Sequence, residues 1–192
     1  AFGWERGAGS ARAMAEGRTG AKIVDLGNSC MEGRPVTDDI QTIEYRSPEV
    51  LLGAGFGCSA DMWSLACTVF ELITGEYLFD PQEGKDASGK VTFDREEDLL
   101  ALQMELLGPL PRGLVRRGRL SEKLLDRDGS LKRIKGLKPW ALRDVLVQKY
   151  QMPLEGPDGA DALASFLLPM LRYEPERRAS AAQMLQHPWL QS

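Results

Sequence analysis

The first candidate for chemistry is the triplet Asp25-Leu26-Gly27, which follows the short apolar run Ile23-Val24. A carboxylate at the end of a strand, beside a turn that glycine permits, can reach a hard cation such as Mg²⁺, which prefers oxygen ligands. Such triplets also occur in ordinary turns, so the motif gains weight only from what accompanies it along the chain.

Charge is distributed unevenly in the middle of the chain. Residues 71–105 contain ten acidic and three basic residues, a net charge of −7, whereas residues 112–149 contain twelve basic and four acidic residues, a net charge of +8. Asp94, Asp98 and Glu105 are spaced four and seven residues apart, which places them on one face of a helix as an acidic stripe. The pattern indicates a charged partner or two faces that attract each other; solvated surfaces are the alternative.

The elements that would position these residues are mostly helices. The sequence predicts a helix over 60–74, capped by Ser59, ended by Gly75 and apolar nearly all round, so that it is buried on most sides. A second helix is predicted over 94–107 and ends at Gly108-Pro109. Shorter helices are expected near 120–126, 139–150, 159–172 and 180–186. A short strand is expected over 21–25 and an irregular segment over 28–58, so the fold is mainly α.

Composition excludes several classes of protein. Three cysteines without CxxC spacing and a single histidine argue against a disulfide framework and a structural zinc site, and favour a reducing compartment. No apolar run approaches the roughly 18 residues of a membrane span, so no membrane association is expected. The basic stretch lacks interleaved aromatic residues, so no direct nucleic-acid binding is expected. Trp63, Trp140 and Trp189 are predicted to lie in the core.

Several motifs occur in a fixed order after Asp25-Leu26-Gly27. They are Tyr45-Arg46-Ser47-Pro48-Glu49, Asp61-Met62-Trp63-Ser64, Pro175-Glu176-Arg177-Arg178 and His187-Pro188-Trp189. In this order the chain resembles the C-terminal lobe of a eukaryotic protein kinase, with D-L-G in place of D-F-G and S-P-E in place of A-P-E. The segments DLGNSC, DDIQTIEYRSPEVLLG and LKPWALRDVLVQKY are similar to SR-protein kinases; LAMMER (CDC-like) kinases share less of the last segment.

This resemblance implies an organisation and an activity. Residues 1–20, rich in Gly, Ala and Arg, would be a linker or the disordered tail of the family's spacer, and residues 21–192 the kinase domain from the activation segment to the final helix. The whole protein would be an ATP-dependent Ser/Thr kinase acting on Arg-Ser-rich proteins such as splicing factors. No Gly-rich ATP loop or V-A-I-K motif is present, and the only histidine, His187, belongs to H-P-W, so the catalytic loop is absent from this sequence. This piece alone is therefore expected to be inactive.

Further expectations and alternatives accompany the resemblance. It implies ATP and Mg²⁺ as cofactors, the missing N-lobe and catalytic loop as partners, a monomer, and a location in cytoplasm and nucleus. One alternative is the C-lobe of a LAMMER kinase. The other is a module that docks Arg-rich peptides without catalysis.

The resemblance also assigns roles to individual residues. Asp25 would bind Mg²⁺, and Gly27 would permit the turn at the nucleotide. Structural roles fall to Asp61, which would hold the catalytic loop, and to Glu49 and Arg178, which would form a buried ion pair. Substrate binding falls to Thr42, Tyr45, Arg46, Arg95 and Lys149, and to the acidic residues Glu76, Asp98 and Glu105. Family members commonly carry Arg where this chain has Ile43, which weakens a pocket for a phosphate or acidic group.

Overall fold

A computed structural model describes residues 22–191 as parts of two compact units, one within residues 1–31 and the other from residue 32 onward. The spacer tail predicted for residues 1–20 lies outside the described residues. In the first unit, a 3₁₀ turn spans Leu26–Asn28. The strand predicted over 21–25 is not formed in its described part, residues 22–25, where Ile23 and Val24 are 88% and 76% exposed. A strand needs a neighbour for its backbone hydrogen bonds, and no strand pairs with this segment among the described residues.

The second unit is built mainly from helices. Its elements, in chain order, are α1 (Pro48–Leu52), α2 (Ser59–Thr74), β1 (Gly84–Lys85), β2 (Val91–Phe93), α3 (Arg95–Leu107), α4 (Arg112–Arg117), α5 (Ser121–Leu124), α6 (Leu142–Gln148), α7 (Ala160–Leu167) and α8 (Ala181–Met184). Short 3₁₀ turns occur at Ile43–Tyr45, Pro175–Arg177 and Pro188–Leu190. Within residues 22–191, no helix combines the length and apolar character that crossing a membrane requires. The mainly α architecture predicted from the sequence is confirmed.

Helix α2 carries the centre of the core. Trp63 and Phe70 are buried completely or nearly so, and Trp63 stacks against Phe79 with ring centroids 6.0 Å apart. The helix ends at Gly75, whose φ of 78° suits glycine because a side chain at that angle is strained. The predicted cap, Ser59, is the first helical residue instead, and Cys58 occupies the cap position.

One face of α2 is uncovered in the described part of the chain. Leu65, Leu72 and Ile73 are 42%, 76% and 40% exposed. The prediction that this helix is buried on most sides holds apart from this face. Most of its other residues are partly buried, and six are buried: Ala60, Met62, Trp63, Ala66, Cys67 and Phe70.

Helix α3 begins and ends as its sequence predicts. The Asp94 carboxylate accepts a hydrogen bond from the Glu97 backbone N–H at 3.0 Å, which caps the first turn. Gly108, at a φ of 87°, follows the last residue. The antiparallel hairpin β1–β2 just before α3 was not predicted. Its strands of two and three residues are too short to show an alternating pattern.

The other predicted helices are present, but their first and last residues differ from the predicted ones. Helices α5 to α8 fall within the four predicted regions but are shorter, and α4 was not predicted. The segment 28–58, predicted irregular, contains α1 and the 3₁₀ turn Ile43–Tyr45. The core prediction is wrong for Trp140, which is 41% exposed and lies outside any helix because the chain is extended just before α6.

Ion pairs connect the acidic stretch of the chain to the basic stretch. Arg133 lies 2.8 Å from Asp94 and Lys149 lies 2.7 Å from Glu76, while Lys123 is 3.8 Å from Glu96. The buried Glu97 also pairs with Arg133. These contacts support the interpretation that the two stretches form faces that attract each other within the chain.

Candidate functional site

Asp98 and Glu105 are held on α3 by backbone N–H groups of two other segments. The Asp98 carboxylate accepts from Gln82 N at 2.7 Å, and the Glu105 carboxylate accepts from Lys138 N at 2.8 Å. Neither carboxylate forms an ion pair with any cation of residues 22–191. Their positions are therefore fixed while their charges remain available to a ligand.

A third carboxylate, Asp80, joins these two. Partial burial raises the pKa of Asp98 above its usual range, and the charges of Glu105 and Asp80 add to the rise, although the Gln82 hydrogen bond opposes it. Asp80 itself accepts from Gln82 Nε2 at 2.9 Å. We call Asp80, Asp98 and Glu105 the acidic cluster. Sequence reasoning missed Asp80 because helical spacing relates only residues of one helix, and Asp80 lies on the preceding segment.

Trp140 lies beside the acidic cluster. Its backbone N–H donates to the Glu105 carbonyl oxygen at 2.9 Å, which attaches the segment 138–140 to the C-terminal half of α3. The exposed indole is a surface on which a guanidinium can stack. An aromatic residue attached by its backbone to the helix that carries these unpaired carboxylates suits arginine better than lysine.

Glu76 and Lys149, both predicted to bind substrate, form an ion pair with each other. The Glu76 carboxylate accepts from Lys149 Nζ at 2.7 Å and from the Tyr150 hydroxyl at 3.0 Å, and these two bonds hold its pKa below the usual range. No hydrogen bond or ion pair between described residues links this pair to the acidic cluster. The charge of Glu76 is thus compensated within the chain, whereas the charges of the acidic cluster are not.

The guanidinium groups of Arg46 and Arg95, predicted to bind substrate, are occupied by acidic residues of the chain itself. Arg95 lies 2.6 Å from Glu44 and also donates to the Pro81 carbonyl oxygen at 2.9 Å. Arg46 lies 2.8 Å from Asp39 and 3.5 Å from Glu96. An anion would therefore have to compete with these carboxylates, a constraint that the basic residue types alone do not reveal.

Tyr45 and Thr42 differ in how firmly they are held. Burial and the charge of Glu71, which accepts from the Tyr45 hydroxyl at 2.5 Å, keep the pKa of Tyr45 well above its usual range. Tyr45 is therefore a neutral, fixed donor. Thr42 is exposed, and its hydroxyl makes no hydrogen bond within the described residues, which leaves it accessible to another segment.

Gln41, which sequence reasoning missed, fastens this segment to α2. Its side chain donates to Ala60 O at 2.9 Å and to Ser64 Oγ at 2.8 Å, and accepts from Ser47 N at 2.9 Å. Its φ of 68° lies in the left-handed region, which a residue other than glycine adopts only when its surroundings enforce it. No motif in the sequence signals this role.

Glu49 and Arg178 form the buried ion pair that the sequence predicts. Arg178 donates to the two carboxylate oxygens at 2.7 and 2.8 Å, and neither side chain is exposed. Its guanidinium also lies 5.3 Å from the Trp63 ring and donates to Ser59 O at 2.8 Å. This pair joins α1 to the C-terminal part of the chain.

The residues assigned to the nucleotide and to the catalytic loop are exposed. The Asp61 carboxylate accepts no hydrogen bond from the described residues. In the first unit, Asp25 has a left-handed backbone, with a φ of 62°, and a Cβ built on Gly27 would lie 3.7 Å from its Oδ1 atom. No group of three or more His, Cys, Asp or Glu side chains within residues 22–191 could hold a metal ion. These residues alone do not form a Mg²⁺ site, and Asp25 would supply one ligand among several.

Comparisons with known proteins agree with this architecture. The family model for the protein kinase domain matches residues 13–190. The chain is 50% identical over 169 residues to SRSF protein kinase 3 of Mus musculus, which covers 88% of this chain and 28% of that protein. It is 49% identical over 170 residues to Serine/threonine-protein kinase SRPK of Physarum polycephalum, a match that covers 88% of this chain and 38% of that protein. It is 47% identical over 169 residues to Serine/threonine-protein kinase SKY1 of Saccharomyces cerevisiae, a match that covers 88% of this chain and 22% of that protein.

The chain thus spans well under half the length of these relatives, and the family model covers most of the chain. The predicted resemblance is confirmed: the chain belongs to the protein kinase family and, within it, to the SR-protein kinases.

Proposed function

We propose that this chain forms the C-terminal lobe of a Ser/Thr protein kinase that phosphorylates serines in Arg-Ser-rich proteins, and that the acidic cluster docks the arginines of these substrates. The observation that carries the proposal is the set of three carboxylates, Asp80, Asp98 and Glu105, which backbone and amide donors hold in place without any cation of the described residues to neutralise them.

The chemistry of the cluster favours arginine. A guanidinium presents its N–H groups in a planar fork that matches a carboxylate, whereas an ammonium is a compact, strongly hydrated charge. A single exposed pair contributes only about 0–1 kcal/mol, but several contacts along one peptide add to one another. The exposed side chain of Trp140, whose backbone N–H is bonded to the Glu105 carbonyl oxygen, would supply a stacking surface for one of these arginines.

Phosphoryl transfer would need groups from outside this sequence. Protein kinases use ATP with a divalent cation, a lysine on the phosphates and a catalytic Asp. Asp25 would supply one carboxylate ligand to Mg²⁺, and Gly27 and Asp61 would accommodate the neighbouring segments. We propose the missing N-lobe and catalytic loop as partners, a monomeric kinase, and residence in cytoplasm and nucleus. Imaging of the tagged full-length protein tests the last point.

Peptide binding by the purified chain tests the docking role. We expect a fluorescent peptide of Arg-Ser repeats to bind, and the triple variant Asp80→Asn, Asp98→Asn, Glu105→Gln to lose about tenfold or more in affinity. The matched control, Glu32→Gln, Glu155→Gln, Asp158→Asn, removes the same charge from exposed positions and should bind normally. Equal affinity in wild type and the first variant would eliminate the docking role.

Activity requires a separate measurement. The chain alone should transfer no phosphate to an Arg-Ser peptide in the presence of Mg-ATP, whereas the full-length protein should do so and lose activity on Asp25→Ala. A full-length protein that binds the peptide but transfers no phosphate would favour the non-catalytic docking module instead.

A further inference from the structure

A cleft of about 680 Å³ opens between α4, the start of α5 and the turn at residues 125–132. The isolated bridge between Leu125 and Leu131 closes this turn. The cleft lies outside the acidic cluster, and no residue that the sequence assigns to substrate binding lines it. Its volume is within the range of pockets that bind small molecules or short peptide segments.

Three cations at the cleft have no carboxylate partner. Arg116, Arg127 and Lys132 line it, all three are exposed, and none forms an ion pair within residues 22–191. Lys132 Nζ does donate to the backbone carbonyl of Glu122, which fixes the ammonium at the wall of the cleft. Most other bases of this stretch are paired, as Arg133 is with Glu97 and Lys135 with Asp126.

A buried hydroxyl at the same cleft also lacks a partner. Ser121 is only 5% exposed, and its Oγ atom makes no hydrogen bond. A Cβ at Gly118, which also lines the cleft, would lie 2.4 Å from this oxygen, so only glycine at position 118 leaves room for the hydroxyl. An unpartnered buried hydroxyl costs free energy, and a bound acceptor would recover it.

The cleft is lined by both cationic and anionic side chains, and this mixture restricts the kind of ligand that can bind. Two carboxylates, Glu122 and Asp126, stand among the three cations, so a uniformly anionic polymer meets repulsion as well as attraction. No aromatic residue lines the cleft, and stacking of bases on aromatic rings is the usual source of affinity for single-stranded RNA. A segment in which phosphates alternate with guanidinium groups matches both signs of charge.

We propose that this cleft binds a phosphorylated Arg-Ser segment, with the phosphates on Arg116, Arg127 and Lys132 and an intervening arginine toward Glu122, whose carboxylate forms no ion pair within residues 22–191. The identity of the ligand rests on the proposed kinase function, since such segments are its reaction product. The chain then has two separate sites, the acidic cluster for unmodified substrate and this cleft for the modified form.

Fluorescence anisotropy with a peptide of four Arg-phosphoserine repeats tests the proposal on the 192-residue chain. The variant Arg127→Gln, Lys132→Gln should lose about tenfold in affinity for this peptide, because hydrogen bonds between charged groups are the strongest class. The control variant Lys90→Gln, Arg172→Gln removes two exposed cations that lie on none of the segments lining the cleft and should bind normally. Equal losses in both variants, or none in the first, would overturn the proposal.

Three further measurements separate this proposal from the docking role of the acidic cluster and from RNA binding. Neutralising Asp98 and Glu105 should abolish binding of the unphosphorylated peptide and leave the phosphopeptide bound, so the two proposals fail separately. Ser121→Ala should weaken phosphopeptide binding severalfold; unchanged affinity with a higher Tm would mean that the hydroxyl does not contact the ligand. An eight-nucleotide single-stranded RNA is the last probe. If it binds more tightly than the phosphopeptide, and if the variant Arg127→Gln, Lys132→Gln no longer binds it, then the ligand of the cleft is RNA and the peptide proposal is wrong.

Discussion

Asp98 and Glu105 lie seven residues apart on one face of α3, and each receives a backbone N–H from a different segment, Gln82 on one side and Lys138 on the other. Both segments thus orient carboxylates that repel each other, and the repulsion adds to burial in raising the pKa of Asp98. Two like charges held together without a counter-ion favour a cationic ligand, because that ligand relieves the repulsion.

The raised pKa of Asp98 predicts how peptide binding depends on pH. An Arg-Ser peptide binds the ionised carboxylate, so its affinity should fall as the pH is lowered through the pKa of Asp98. Because this pKa lies above the ordinary value of 3.8, the fall should start at a higher pH than for an ordinary aspartate. Anisotropy titrations between pH 7 and pH 4 measure the effect. Asp98→Asn should bind more weakly and show a flatter profile, whereas an identical profile in both proteins would contradict the assignment to Asp98.

The same shift predicts a gain in stability on neutralisation. A carboxyl whose pKa is raised by folding destabilises the folded state at pH values where it is ionised. Asp98→Asn should therefore raise the free energy of unfolding at pH 7, by less than about 1 kcal/mol because solvent screens a half-exposed group. The gain should disappear as the pH falls through the pKa of Asp98. Urea denaturation at several pH values provides the measurement.

Asp94 on the same helix is the contrasting control. Burial works against its ionisation, but hydrogen bonds from Arg133 and from the Glu97 N–H outweigh burial and hold its pKa below the usual range. Asp94→Asn should therefore destabilise the chain at pH 7, with the loss shrinking at acid pH. If Asp94→Asn and Asp98→Asn change the free energy of unfolding at pH 7 in the same direction, the charge of the helix alone governs both effects.

Glu44 is predicted to keep Arg95 from binding anions. From Arg95 to Glu105 the helix rises about 15 Å, which an extended peptide of four or five residues spans. The segment Pro81-Gln82 contacts both Arg95 and Asp98, so a peptide docked on the acidic cluster can reach Arg95. Glu44→Gln should increase affinity severalfold for an Arg-Ser peptide with one terminal phosphoserine. The unphosphorylated peptide is the control and should bind equally to both proteins.

Loss of Glu49 is predicted to be among the most damaging single changes. Glu49→Ala leaves the Arg178 guanidinium buried without its carboxylate, which should cost about 3–5 kcal/mol of unfolding free energy. Glu174→Ala removes a pair of similar type at the surface, where Arg177 lies 3.6 Å away and is 68% exposed, and should cost about 1 kcal/mol or less. Denaturation of the two variants side by side compares these values; similar losses would refute the buried role.

Local signals predicted the helices, the family resemblance predicted the ion pair of Glu49 with Arg178, and contacts between distant segments decided the rest. Asp94 and Gly108 delimit α3 because a side-chain cap and a glycine with a positive φ each act within one turn. The hairpin before α3 and the membership of Asp80 in the acidic cluster depend on neighbours that spacing along one helix cannot reveal. The neutralisation of Arg46 and Arg95 likewise depends on Asp39, Glu44 and Glu96, which meet them only in the folded chain.

The ion pair of Glu49 with Arg178 also sets an order of events when the chain is made. The two residues are 129 positions apart, so at ribosomal rates of roughly 5–20 residues per second Glu49 emerges on the order of ten seconds before its partner. Until Arg178 arrives, burying Glu49 in its final position would strand an uncompensated charge, and α1 cannot dock stably. The nascent chain therefore completes this lobe only after Arg178 has left the ribosome, and a truncation before Arg178 exposes the unfinished core to chaperones and proteases.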